Sequence, residues 1–119
     1  MSEKLQWQNK LSAAVELAKD QNKLILLDFY SPLWGPCQNM ETGTFLNDAV
    51  QDHIRENFIP VKYESGKDAE QFTRFSITAT PTFIILDARG DEVHRLIGYY
   101  SPENLIGQLI SARHTGKKL

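Results

Sequence analysis

The chain has 119 residues and a mass of 13.6 kDa, one domain's worth, long enough to bury roughly two-thirds of its unfolded surface without a disulfide or a metal. Thirteen Lys and Arg against fifteen Asp and Glu leave a net charge of −2, which excludes the basic surplus of a dedicated nucleic-acid binder. The longest apolar run, Leu24 to Leu27, is far short of the ~18 residues that a membrane-spanning helix needs, so no membrane partner is expected.

Leu5-Gln6-Trp7 alternates apolar and polar residues and is expected to form a short edge strand. Leu11, Ala14, Val15 and Ala18 recur at i, i+3, i+4 and i+7, the stripe of an amphipathic helix, and Asn22 supplies its stop. Leu24 to Tyr30 is short and apolar on both faces, which predicts a central buried strand. A proline-rich turn follows, then a helix from about Pro36, interrupted at Gly43. Asn47 is placed to cap a further helix from Asp48 to Asn57.

Ile59 to Tyr63 reads as the next strand, with Pro60 suited only to its start. A short helix is expected from about Asp68 to Phe75. Thr82–Leu86 and Glu92–Ile97 flank Asp87-Ala-Arg-Gly90-Asp91, a hairpin signal with a glycine available for positive φ. Ser101-Pro102 opens a last helix, with Leu105, Ile106, Leu109 and Ile110 expected inward and a polar, frayed tail from His114. No linker or repeat divides the chain, so residues 1–119 read as one domain with an ordered core from about 5 to 113. Strand–helix–strand crossovers followed by a hairpin and a closing helix give an α/β fold with a mixed sheet and helices on both faces.

Cys37 is the single cysteine. An intrachain disulfide is therefore impossible, and so is a cysteine-dominated metal centre within one chain. His53, His94 and His114 have no ligand spacing among them, so neither a metal nor another cofactor is expected.

Three stretches carry a family likeness. Leu27-Asp-Phe-Tyr-Ser-Pro-Leu-Trp-Gly-Pro-Cys37 resembles the thioredoxin family, whose strand runs into Trp-Cys-Gly-Pro-Cys at a helix start. Ile77-Thr-Ala-Thr-Pro-Thr-Phe-Ile-Ile-Leu86 is similar to the family's cis-proline loop and the strand after it, and Leu96-Ile-Gly98-Tyr before the last helix is similar to its ending. The Glu41-Thr-Gly-Thr-Phe45 continuation looks more like the small bacterial thioredoxin-like proteins than thioredoxin itself. The likeness spans about residues 5 to 112. It implies a three-layer α/β/α sandwich around a central mixed sheet, with a cis-proline loop.

The departure is as informative as the match. Without a gap, Trp34 falls where the family's first, attacking cysteine stands, so the motif reads Trp-Gly-Pro-Cys. Dithiol exchange needs thiolate attack on a disulfide and then a second thiol to resolve the mixed disulfide. The resemblance makes Cys37 the resolving cysteine, which the family buries, and Asp28 the buried carboxylate that exchanges a proton with it. Cys37 and Asp28 are thus the candidate catalytic pair, and their bland alternative is a small core side chain and an inherited strand-end polar group.

The resemblance also makes Pro81 the cis-proline and gives Thr80 a backbone free to pair with an extended partner chain, a form of strand addition. Leu33, Trp34, Gly35 and Pro36 form the apolar turn beside it. Two functions follow. One is a protein- or peptide-binding module without dithiol redox activity. The other is a monothiol enzyme or redox sensor that forms mixed disulfides through Cys37, with glutathione as a further partner. The leading Met-Ser-Glu-Lys carries no apolar leader, which points to the cytoplasm, although a chain trimmed of a secretion signal would look the same.

Overall fold

The computed structural model describes residues 5–118. Its elements run α1 (Leu11–Gln21), β1 (Leu24–Tyr30), α2 (Gly35–Thr42), a 3-10 turn (Thr44–Leu46), α3 (Asp48–Asn57), β2 (Phe58–Glu64), α4 (Ala69–Arg74), β3 (Thr82–Leu86), β4 (Glu92–Ile97) and α5 (Pro102–Lys118). The four strands form one sheet in the order β2-β1-β3-β4, with β1 parallel to β2 and antiparallel to β3.

The alternation of β1 builds both cores. Leu24 and Leu26 face α2, α3 and α5 through Met40, Val50, Ile54, Leu105 and Leu109. Ile25, Leu27 and Phe29 face α1 and α4 through Leu11, Ala14, Ala18, Phe72 and Phe75. Helices thus cover both faces, the expected three-layer sandwich, and a strand buried on both sides reads as an unbroken apolar run.

The punctuation follows the local chemistry. Asn22 ends α1 in the left-handed region (φ 55°), and the Asn47 side chain accepts a hydrogen bond from the Val50 amide to start α3. Helix α2 ends at Gly43, where a Cβ would lie 2.8 Å from the Asn39 carbonyl oxygen. In the β3–β4 turn the Asp87 carboxylate accepts from the Arg89 and Asp91 amides, and Gly90 takes φ 92°.

Four expectations need correction. Leu5 to Trp7 is not a strand: only Gln8 bridges to Val61, while Leu5 and Trp7 pack on the core, Trp7 edge-on to Phe45. Pro60 is the third residue of β2, not its first. Its carbonyl faces outward to the Gln8 amide, so its missing N–H lies on the sheet's outer edge, where no ladder bond is lost.

Ile110 is exposed, because the inward stripe of α5 runs Leu105, Leu109, Ala112, Gly116 and passes it by. That same stripe carries the helix through the expected frayed tail to Lys118, with Gly116 packed against Leu24; Leu119 lies outside the described residues. Among the described residues no helix is long and apolar enough to cross a membrane.

Candidate functional site

The C-terminal end of β1, the first turn of α2 and the loop entering β3 meet at one end of the sheet. Trp34 is the N-cap of α2: its amide donates to the Ser31 carbonyl at 3.1 Å and its carbonyl accepts from Gln38 N–H at 3.0 Å. The backbone so fixed leaves the Trp34 side chain without a capping bond, and residue 34 is 55% exposed beside Leu33 at 91%. Gly35 and Pro36 begin the helix, where proline's missing N–H and fixed φ suit the first turn.

Cys37, one residue further, is turned inward and only 1% exposed. The Ser31 N–H donates to its Sγ at 3.4 Å. The turn and the β3 loop are tied by a hydrogen bond between the Ser31 and Thr80 hydroxyls at 2.9 Å. The Thr80–Pro81 peptide is cis, and the Pro81 carbonyl accepts from Gly98 N–H at 2.8 Å. Among the described residues neither the N–H nor the C=O of Thr80 has a hydrogen-bond partner.

Between these two loops opens a groove of about 660 Å³. Leu33, Trp34 and Thr80, singled out from the sequence, line it, together with Ser31, Pro32, Ser65 and Ala79, which were not. Gly35, Pro36, Pro81 and Cys37 lie outside its wall. Ser65 follows β2, and its amide donates to the Tyr30 carbonyl where parallel β1 ends. A loop leaving the carboxyl end of the neighbouring parallel strand is placed to flank such a crevice, so topology could have supplied Ser65.

Behind the turn sits a charged cluster. Asp28 of β1 lies opposite Lys62 of β2 and Phe83 of β3, on the face that α2 covers. Its residue is 1% exposed and neither carboxylate oxygen has a hydrogen-bond partner among the described residues. Desolvation pushes its pKa up to about 8, the Glu41 charge adds to the rise, and Lys62 partly opposes it.

Glu41 stands four residues after Cys37, on the same side of α2, and accepts from Lys62 Nζ at 2.6 Å. Lys62 is further held over the Trp7 and Tyr30 rings, at 4.7 and 5.0 Å from their centroids. Asp87 provides the contrast. Burial there also acts to raise the pKa, but the Asp91 and Arg89 amides and the Arg89 guanidinium outweigh it and hold the carboxyl below its ordinary value. Burial with donors stabilises the anion; burial without them favours the acid.

Among the described residues no group of three His, Cys, Asp or Glu side chains could hold a metal ion. His94 instead contacts Gln108 at 3.1 Å.

A family model described as a thioredoxin-like domain matches residues 11–113. The chain belongs to that thioredoxin-like family. A thioredoxin-like protein of Synechocystis is 33% identical over 94 residues, which are 79% of this chain and 86% of that protein. The chloroplastic thioredoxin Y of rice is 33% identical over 102 residues, 86% of this chain but only 58% of its own. Among solved structures, a thioredoxin from Thermus thermophilus superposes with a TM-score of 0.84 at 23% identity, covering 96% of this chain and 91% of that one. The DsbH oxidoreductase superposes at 0.76 and 18% identity, covering 95% and 87%. At these identities the structural likenesses establish the fold alone, whereas the sequence relatives tie the chain to a family that includes thiol–disulfide oxidoreductases. This thioredoxin-like chain has one cysteine to work with, and that cysteine is buried.

Proposed function

We propose that this thioredoxin-like domain binds extended polypeptide segments of client proteins in the groove between the Leu33–Trp34 turn and Thr80, and does not catalyse dithiol exchange. One observation carries the reading: the position where the family resemblance puts the attacking thiol holds an exposed indole, while the only cysteine, Cys37, is 1% exposed. Thiol–disulfide exchange needs an accessible thiolate to form the new S–S bond and a second thiol to release the mixed disulfide. What does not depend on sulfur is intact. The unpaired N–H and C=O of Thr80 can exchange hydrogen bonds with a partner strand, and Leu33 and Trp34 offer apolar area beside it.

Trp34 is also a built-in reporter, since its indole lines the groove while Trp7 packs on Phe45 away from it. Titration with an unfolded polypeptide whose own thiols are blocked should give a saturable blue shift of tryptophan emission. Leu33→Asp removes an exposed contact without touching the core, and should weaken that binding by roughly tenfold or more while leaving the unfolding midpoint in place. An unchanged affinity in Leu33→Asp, or no shift at all, would count against the groove.

A second reading has one observation in its favour. Asp28 lies on the face that α2 covers, and its ionised form could take the Cys37 proton as that sulfur attacks a disulfide of oxidised glutathione or of a client protein, forming the mixed disulfide and expelling the other half as a thiol. That route predicts capture abolished by Cys37→Ser and by reductant, whereas groove binding survives both.

A further inference from the structure

A second cavity, of about 390 Å³, opens where α1 begins beside the carboxyl end of β2, and it shares no residue with the groove. Helix α1 starts there without the usual cap. An N-cap is ordinarily Ser, Thr, Asp or Asn, and acids favour the first turn. Here Lys10 holds the cap position and makes no capping bond, and the first turn has no acid. The Leu11 amide donates to the Tyr63 hydroxyl at 3.0 Å, while the Ser12 and Ala13 amides have no partner among the described residues. We infer that this cavity binds the phosphate group of a small phosphorylated molecule, held by Tyr63, Lys10, Lys67 and Arg74.

Tyr63 is the observation that points to a ligand. It is only 3% exposed yet lines the cavity. Its oxygen accepts from Leu11, and its own O–H proton has no acceptor among the described residues. Burial holds its pKa above the ordinary value, so the hydroxyl is a donor throughout the neutral range. A buried donor left unpaired is costly, and an oxyanion beside it removes that cost. Gln71 of α4 repeats the pattern. Its side-chain oxygen is buried without a partner on the same cavity, and an amide turned about its last bond presents N–H groups there instead.

The charges agree. Lys10 and Lys67 are exposed, and neither side chain has a partner among the described residues. Arg74 lies 5.2 Å over the Phe75 ring, which leaves the edge of its guanidinium to meet two oxygens of one phosphate. Two acids share the wall, and one of them, Asp68, already accepts the Glu64 amide at 2.8 Å. The donors come from α1, β2 and α4, so they converge from several directions, which suits a tetrahedral dianion better than a planar carboxylate. The space is larger than a bare phosphate and leaves room for a small organic group.

The test is an amide NMR titration of the full chain with glycerol 3-phosphate, inorganic phosphate and acetate. Glycerol 3-phosphate should shift the amides of Ser12, Ala13 and residues 67–71 saturably. It should bind more tightly than inorganic phosphate and at least about tenfold more tightly than acetate. Replacing Lys10 and Lys67 together by Ala should weaken binding by about tenfold without moving the unfolding midpoint. Tyr63→Phe, which keeps the ring against Phe29, should weaken it too. Glu70→Gln removes an opposed charge from the wall and should tighten binding by about two- to threefold, a gain that a merely structural role would not produce.

Any of four results overturns the inference: no saturable shift with glycerol 3-phosphate, acetate bound as tightly as it, inorganic phosphate bound more tightly than it, or unchanged affinity in the double lysine variant. None of them bears on the groove.

Discussion

Replacing Asp28 by Asn should stabilise the protein by several kcal/mol at pH 9 and change little near pH 4. In the folded chain the carboxyl is buried with no donor, and its pKa is pushed up to about 8 from 3.8. A carboxyl whose folded value is raised is favoured in its protonated form. Stability is then greatest below the unfolded value and is lost as pH rises through the window from 3.8 to about 8. The loss amounts to about 1.4 kcal/mol for each unit of difference between the two states, a large share of the ~5–15 kcal/mol that holds a domain of this size.

Other groups act elsewhere or in the opposite sense. Asp87, held below its ordinary value, contributes stability that is lost on acidification. His53, lowered by desolvation and then by Arg113, makes the folded state less stable as pH falls through the histidine range. Both are common to parent and variant, so the difference between the two isolates Asp28. Urea unfolding of each at intervals from pH 5 to 9 should give parent stability that declines with pH and a flatter line for Asp28→Asn. A parent without that decline, or a variant less stable than the parent at pH 9, would mean that Asp28 has partners that lower its cost.

The second large effect concerns sulfur. Trp34→Cys should give the turn dithiol redox activity. The N-cap position it occupies is exposed at the positive end of α2, where backbone N–H groups and the helix dipole favour a thiolate. Gly35 and Pro36 then separate it from Cys37 in the first turn of the helix, the spacing the family uses. The oxidised variant should show no free thiol by reagent titration, against one for the unfolded parent. In an insulin-reduction assay it should exceed the parent's background by at least about tenfold. Two free thiols surviving oxidation would place Trp34 somewhere other than the attacker's position.

Much of this fold was legible because its signals are local and redundant. β1, β3 and β4 have the expected bounds, since Leu24 to Tyr30 and Thr82 to Leu86 are apolar runs between strong punctuation, and Gly90 with Asp87 defines the hairpin. Asn47 and Gly43 act through their own backbone and side-chain chemistry, which the sequence states directly. The misreadings required tertiary knowledge. Leu5 and Trp7 alternate like a strand, yet the segment reaches the sheet only at Gln8. Nothing local to His114–Lys118 says that Gly116 meets Leu24, ninety-two positions earlier in the chain.

The site divides the same way. Leu33, Trp34 and Thr80 could be picked out by motif and found on one groove, whereas Ser65 and Ala79 join it through the topology of the parallel pair and the loop entering β3. The isolation of Asp28 was out of reach. A carboxylate at a strand end looks the same in sequence whether donors surround it, as at Asp87, or not.

Cys37 is buried, and its alkylation rate measures that shelter directly. Thiol-reagent labelling of the folded protein from pH 5 to 9 should be slow throughout and become complete only when urea unfolds the chain. Rapid labelling of the native protein at neutral pH, accompanied by catalytic reduction of insulin, would contradict it.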